Sequence, residues 1–266
     1  MIKLIATDMD GTLVQSDGNI SDEFSDVFNK LREKGIKFVA ASGRQYYKLR
    51  ENFNDYADDM AFIADNGTMV MYKEEELYSK ELNYLQVKEI IKKVENMKDV
   101  HLVLSGKRKA YLDTDKKEII DEIEKYYKEY EIVDDLETID DEILKIAVYH
   151  PENIEGLYNE YFSPHFGNEA KVSVSGEFWL DVYNKDTDKG IALKMIQEKF
   201  NIKKEETMAF GDYFNDTPML KEAKYSYAME NAPEEFKKDA NFIAKSNDEN
   251  GVIEAIKEKI NLSKSS

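Results

Sequence analysis

Ile2-Lys-Leu-Ile-Ala-Thr-Asp8-Met-Asp10-Gly-Thr12 is the stretch whose reading decides the fold. Ile2 to Thr7 reads as a short buried strand that runs straight into two carboxylates two residues apart, set against a glycine. Like charges so placed disfavour each other's ionised form, so a structure that keeps both supplies a cation, a shared proton or both. That is the electrostatic setting of metal-assisted phosphoryl chemistry. Taken alone, an Asp-x-Asp pair is equally an acidic turn at a strand end, and the rest of the chain has to decide.

Downstream, Ser21 to Lys34 is amphipathic, with Phe24, Val27, Phe28 and Leu31 on one face and Gly35 as a stop. Ile36 to Ala41 reads as a second strand and Ala61 to Ala64 as a third, ending at Asp65-Asn-Gly67. The same rhythm closes the chain: a helix over Lys189 to Phe200, a strand over Thr207 to Phe210, a short helix over Pro218 to Ala223, strands over Tyr225 to Met229 and Asn241 to Ala244, and a helix over Gly251 to Ile260. Strands separated by helical patterns predict a parallel sheet with helices on both faces.

The middle is different. Helices are expected over Leu85 to Met97, Glu118 to Tyr130 and Ile154 to Phe162. Paired strands are expected over Val100 to Leu104 and Ala110 to Leu112, with another strand over Leu144 to Tyr149. A hairpin joins Lys171 to Ser175 with Phe178 to Val182 across Ser175-Gly-Glu177. The expected fold is therefore α/β: a doubly wound, Rossmann-like parallel-sheet core from residues 1–82 and 188–266, with an inserted α+β domain at 83–187.

The chain has 266 residues, ample for such a core and insert. Its 55 acidic against 37 basic residues leave a net charge of −18, a field that disfavours nucleic acid and anionic membranes as partners. An anionic substrate would need a local cation to enter. Much of the charge, as in Lys73 to Glu76, Lys116 to Glu118 and Lys203 to Glu206, reads as solvated helix face. Without cysteine, disulfides, thiolate nucleophiles, Cys-based zinc sites and iron–sulfur clusters are excluded. The first apolar stretch is broken by Asp8 and Asp10, and no run reaches the roughly 18 apolar residues of a membrane span, so a cytoplasmic protein is expected.

Four polar clusters fall at strand ends or helix starts of the outer segments, which in a doubly wound sheet share one crevice. The first is Asp8, Asp10, Gly11 and Thr12. The second is Ser42-Gly43-Arg44, where the hydroxyl can donate and the glycine lets backbone N–H groups approach an anion. The third is Lys189 in Asp186-Thr-Asp-Lys-Gly190, after a capping Asp186, Thr187 or Asp188. A cation in the first turn of a helix makes sense where an anion sits beside it. The fourth is Gly211-Asp-Tyr-Phe-Asn-Asp216, which adds the strand-end carboxylate Asp212 and the helix-opening Asn215 and Asp216. Oxygen donors of this kind suit Mg²⁺.

In this order, Asp-Met-Asp-Gly-Thr-Leu, Ser-Gly-Arg, Lys-Gly and Gly-Asp-x-x-Asn-Asp resemble the motifs of the haloacid dehalogenase superfamily, and their spacing is similar to its Cof-type branch with a large α/β cap. Asp65-Asn-Gly67 resembles that branch's asparagine-glycine turn. The resemblance implies a Mg²⁺-dependent phosphatase. Asp8 would be nucleophile and metal ligand, and Asp10 general acid/base with a metal-binding backbone carbonyl. Ser42, the Gly43 N–H and the Met9 backbone would hold phosphoryl oxygens. Lys189 would bridge nucleophile and phosphate, Asp212 would complete the metal site, and Asn215 would orient the phosphate. Thr12, Arg44 and Asp216 would stand behind these groups. Asp181, near the hinge of the insert, is expected to lie apart from the chemistry.

The expected partner is a small phosphate ester, most simply a sugar phosphate. A phosphomutase or phosphotransferase remains as an alternative, and a non-catalytic phosphate-binding module as a third. The insert would set specificity. Within it Phe178, Trp179 and Tyr183 read as core, with pocket lining as the alternative; His101, His150 and His165 lack ligand-like spacing; and Ser105 to Lys109 is a basic turn that reads as a solvated hairpin tip, with contact to a second phosphate as the alternative.

Overall fold

In the computed structural model, which describes residues 1–261, the chain builds two sheets. The first five strands are β1 (Leu4–Asp8), β2 (Lys37–Ala41), β3 (Met60–Ala64), β4 (Met69–Tyr72) and β5 (Glu75–Ser79). Six follow within residues 101–184: β6 (His101–Gly106), β7 (Ala110–Leu112), β8 (Tyr130–Ile132), β9 (Ile143–Tyr149), β10 (Ala170–Val174) and β11 (Trp179–Asn184). The last three are β12 (Thr207–Gly211), β13 (Tyr225–Met229) and β14 (Phe242–Ala244).

The larger sheet has the order β14-β13-β12-β1-β2-β3-β4-β5. Its strands are parallel from β14 to β3, and β4 and β5 are added antiparallel. Apart from the edge strand β14, the parallel strands are almost wholly buried because helices cover both faces. On one face, Phe24 and Phe28 of the helix Glu23–Glu33 pack against Phe38 of β2, with ring centroids 5.5 and 5.9 Å from it. On the other, Leu193 and Ile196 of the helix Lys189–Phe200 join Val39, Ile63 and Ala209. Asp188 caps that helix by accepting from Ile191 N–H at 2.8 Å, an interaction worth about 1 kcal/mol.

The smaller sheet runs β10-β11-β9-β6-β7-β8, antiparallel except for β7 with β8. The helices Tyr84–Val94 and Ile154–Leu157 pack on one face through Ile90, Ile91 and Ile154. The fold class is as expected: a parallel α/β core carrying an α+β insertion. No helix among the described residues is long and apolar enough to cross a membrane.

Three local expectations fail. Lys73 to Glu76 is not a helix face but the turn and first residues of the β4–β5 hairpin. Lys73 and Glu74 both have positive φ (53° and 62°), the backbone that matches the twist of paired strands. The helix expected over Glu118 to Tyr130 stops at Ile123. There Gln45, from the other layer, claims the chain: its amide donates to Glu129 O at 3.2 Å and accepts from Glu129 N–H at 3.4 Å, and its own N–H bonds Tyr126 O. The helix expected to end at Phe162 continues to Phe166 through a wider turn over Tyr158–Phe162.

Candidate active site

Three neighbouring parallel strands, β12, β1 and β2, deliver Asp212, Asp8 and Ser42 from their C-terminal ends. The chain winds one way from β1 to β2 and the other from β12 to β13, so the crevice lies at the reversal of strand order, where open α/β sheets bind ligands. Opposite it stands the smaller sheet, and between them is a cavity of about 650 Å³.

The buried floor is built around Lys189. Its ammonium donates to Asp8 Oδ1 at 2.5 Å and to Asp216 Oδ1 at 2.7 Å, with the lysine only 1% exposed. Both oxygens of Asp216 are engaged, because Oδ2 accepts from the N–H groups of Asp212 (3.1 Å) and Tyr213 (3.4 Å). Thr12 donates to Asp212 Oδ1 at 2.9 Å. Gly11 turns the chain with φ 76° directly over Asp212, where any Cβ would strike that carboxylate. Gly67, with φ 99°, sits so close to the Asp188 carbonyl that a side chain would push away the helix start that carries Lys189.

Burial, reinforced by Asp216, pushes the Asp8 carboxyl well above its ordinary pKa, with Lys189 opposing the shift. Burial and Asp216 likewise raise Asp212 to about 6. Burial works against the Lys189 ammonium, but Asp216 and Asp8 more than offset it and leave its pKa raised. Asp8, Asp212 and Asp216 each bring a carboxylate oxygen within 4.8 Å of the others. One ammonium among three carboxylates leaves an excess of buried negative charge, and every donor is a hard oxygen, so the residues fit Mg²⁺. Both oxygens of Asp216 already accept hydrogen bonds, whereas Asp8 and Asp212 each accept through Oδ1 alone, so those two are the better placed to hold it.

Asp10 lies outside this group. Its carboxylate turns toward the rim and takes two hydrogen bonds from the Arg44 guanidinium, one of them Nε to Oδ2 at 3.0 Å. Ser42 Oγ accepts from Arg44 N–H at 3.1 Å, which leaves the hydroxyl proton free to donate. Met9 is fully buried in the core, so only its backbone can face the crevice. Asn215 lines the cavity and donates to Asn66 Oδ1 at 3.4 Å.

The structure thus gathers the four sequence clusters into one crevice and adds groups that were not expected there. Asn66, Tyr126 and Lys145 line the cavity, and so does Asp181, which was expected to stand apart; Trp179, for which pocket lining was the alternative to core, lines it too. Lys145 left one trace in the sequence: it is a single charge inside the apolar run Ile143-Leu-Lys-Ile-Ala-Val148. The basic tip at Ser105 to Lys109 offers no free cation, since Lys107 pairs with Glu76 and Glu142, Arg108 with Asp141 and Lys109 with Glu131. His150 uses Nδ1 to accept two backbone N–H groups.

The model of the haloacid dehalogenase-like hydrolase family matches residues 5–256. The 5-amino-6-(5-phospho-D-ribitylamino)uracil phosphatase YbjI of Escherichia coli is 30% identical over 258 residues, covering 96% of this chain and 95% of that protein. The phosphoglycolate phosphatase of Staphylothermus marinus is also 30% identical, covering 96% and 97%. A solved structure from Streptococcus mutans UA159 superposes with a TM-score of 0.90 at 32% identity, covering 98% of this chain and all of that one. With strand ends, crevice and sequence match in agreement, the chain belongs to the haloacid dehalogenase-like hydrolase family.

Proposed function

We propose that this enzyme is a Mg²⁺-dependent cytoplasmic phosphatase of small phosphate monoesters, with sugar and sugar-alcohol phosphates as its substrate class. The observation that carries this reading is the buried Lys189 bridge between Asp8 and Asp216, with Asp8 lining a cavity of about 650 Å³. That volume lies within the roughly 300–1,000 Å³ of small-molecule sites. Both curated relatives named above are phosphatases, and the Escherichia coli protein is named for a phosphoribityl compound.

The roles follow from position. A carboxylate oxygen of Asp8 attacks phosphorus and the P–O bond to the leaving alcohol breaks, giving an aspartyl-phosphate. Asp10, once turned from Arg44, hands a proton to the leaving oxygen and then takes one from the water that cleaves the acyl phosphate. Lys189 neutralises charge on Asp8 and on the phosphoryl group. The Ser42 hydroxyl and the Gly43 and Met9 backbones receive phosphoryl oxygens, and Asn215 orients them. Asp8, Asp212 and the Asp10 carbonyl would hold Mg²⁺, which supplies charge neutralisation at the phosphoryl oxygens. Residues 83–187 act as a cap that selects the alcohol part of the substrate.

The test is hydrolysis of nitrophenyl phosphate with and without Mg²⁺, in wild type and Asp8→Asn. We expect Mg²⁺-dependent turnover that falls by about 10³-fold or more in the variant. Absence of metal-dependent turnover, or full activity in Asp8→Asn, overturns the assignment.

A further inference from the structure

Lys145 stands in the middle of β9, one of the two central strands of the smaller sheet, where every residue from Ile143 to Val148 is buried. An ammonium in such a strand is expensive to desolvate, and an apolar residue of similar volume would pack there without that cost. Its surroundings show what it does instead. The nitrogen lies 3.4 Å from Asp65 Oδ1 and 3.6 Å from Asp181 Oδ2, but its closest partner is neutral: it donates to the Gly43 carbonyl at 2.5 Å. The Tyr127 ring closes another side, 5.7 Å away. A lysine present only to neutralise two aspartates would sit nearest to them.

The Gly43 carbonyl shares a rigid peptide plane with the Arg44 N–H, which points the opposite way. That N–H donates to Ser42 Oγ. One plane is therefore held from both ends, by Lys145 at the oxygen and by Ser42 at the hydrogen. Charge on the carbonyl strengthens the N–H as a donor, and a hydroxyl that accepts a stronger bond becomes a better donor itself. The other bonds of this turn come from its own layer: Ser42 N–H to Ile63 O at 2.8 Å, and Asn66 N–H to Ser42 O at 3.0 Å. Lys145 reaches its central peptide from the opposite sheet, while one residue on, Gln45 bonds Tyr126 and Glu129 of that layer. The same cluster extends to Asn215, because Asp181 accepts from Asn66 Nδ2 at 2.7 Å and Asn66 Oδ1 accepts from Asn215.

We propose that Lys145 is a positioning residue for the phosphate-receiving turn: it orients the Gly43–Arg44 peptide and the Ser42 hydroxyl, and so makes the phosphate site complete only while the smaller sheet is docked. The proposal deepens the phosphatase reading and rests on it. Gly43, Asp65 and Asn66 come from one layer and Ser105, Lys145 and Asp181 from the other, with Ser105 donating to Asp65 Oδ1 at 3.0 Å. Separating the layers would remove the ammonium from Gly43 and release Asn66 in one motion.

The experiment compares wild type with Lys145→Met, with the triple variant Lys145→Met/Asp65→Asn/Asp181→Asn, which leaves no charge in the cluster, and with Asn184→Ala. The last removes a different contact between the layers, Asn184 Nδ2 to Glu81 O at 2.8 Å, that does not touch the turn. Mg²⁺-dependent hydrolysis of nitrophenyl phosphate gives kcat and KM, and inorganic phosphate is the inhibitor. Its binding is also followed by fluorescence of Trp179, the single tryptophan, which lines the cavity. Circular dichroism and the thermal midpoint report folding. We expect the triple variant to fold, to bind inorganic phosphate at least ten-fold more weakly, and to lose about 100-fold in kcat/KM, the size of effect seen when one donor to developing charge is lost. Asn184→Ala should keep wild-type phosphate affinity. A folded triple variant within two-fold of wild type in phosphate affinity and kcat/KM overturns the role of Lys145 while leaving the phosphatase reading intact. A wild type with no Mg²⁺-dependent turnover overturns that reading, and this role with it.

Discussion

Among the described residues two lysines are fully buried, and each sits with two carboxylates, yet they are built differently. The partners of Lys189, Asp8 and Asp216, come from its own layer and sit at 2.5 and 2.7 Å. The carboxylates around Lys145 are at 3.4 and 3.6 Å and belong to different layers, and a backbone carbonyl is its nearest contact. The first arrangement concentrates charge where a phosphoryl group would react. The second joins two bodies across a seam. A buried ammonium is thus no single signature: the distances to its partners and the elements they come from separate a lysine set among the carboxylates of one layer from one that ties two layers together.

Removing each charge is the largest way to break this comparison. Lys189→Met strands Asp8 and Asp216 without their cation and should cost about 3–5 kcal/mol in urea unfolding, besides abolishing turnover. Asp8→Asn also abolishes turnover but leaves Lys189 with one carboxylate, so the metal-free protein should gain about 1 kcal/mol. Activity falls in both while stability moves in opposite directions. If Asp8→Asn were as destabilised as Lys189→Met, the excess of negative charge at the floor would be an incorrect account.

The pH response should separate the two clusters next. Asp65 is raised to about 6, by burial against the pull of Lys145. A carboxyl whose folded value exceeds its unfolded one, near 3.9, favours the folded state most below the unfolded value, and that contribution is lost as pH rises through 6. A shift of this size corresponds to about 2–3 kcal/mol. Asp212, also raised to about 6, follows the same sign in the metal-free protein. The clusters differ in what silences them. Mg²⁺ needs Asp212 ionised, so its stabilising effect should be larger at pH 7.5 than at pH 5, and saturating Mg²⁺ should remove the floor's share of the pH slope. Asp65 contributes to the slope that remains, and its share is isolated by substitution. Asp65→Asn should therefore gain on wild type from pH 4.5 to pH 7 in thermal melts with Mg²⁺ present, and a constant difference across that range would sink the assignment.

The floor was legible in the sequence because its groups sit at strand ends and helix starts with local signals: Asp8 after an apolar run, Ser42 and Gly43 after another, Lys189 behind a capping Asp188, and Asp212 after Thr207 to Phe210. Strand alternation with helices then placed all four at one crevice. The seam was not legible, because it is made by register between elements far apart in the chain. Asp65 meets Ser105 and Lys145 only after the smaller sheet folds and docks, and no short spacing encodes that. The same holds for the segment after Ile123, where bonds to Gln45 override a helical pattern. Asp181 was visible as an acidic residue near the hinge. Its role could not be read until Asn66, with φ 59°, was seen to turn its amide toward it.

The smallest expected effect lies at the far wall of the cavity, which neither lysine reaches. Glu152, Glu155 and Glu177 line it and are exposed, and the one basic side chain on the opposite rim, Arg44, is held by Asp10. A substrate whose alcohol part is neutral meets no penalty there, whereas a second anionic group approaches three carboxylates. Solvent and salt screen such exposed charges, so discrimination should amount to roughly two- to five-fold in KM at low ionic strength and fade as salt is added. Replacing all three by glutamine should lower KM for phosphoglycolate by that factor and leave KM for ribitol phosphate and both kcat values unchanged, because the balance around Lys189 and Lys145 is untouched. Steady-state kinetics on the two esters at low and high salt measure this directly. An equal shift for both esters would mean that the wall acts by shape rather than charge, and that selection is confined to the seam and the floor.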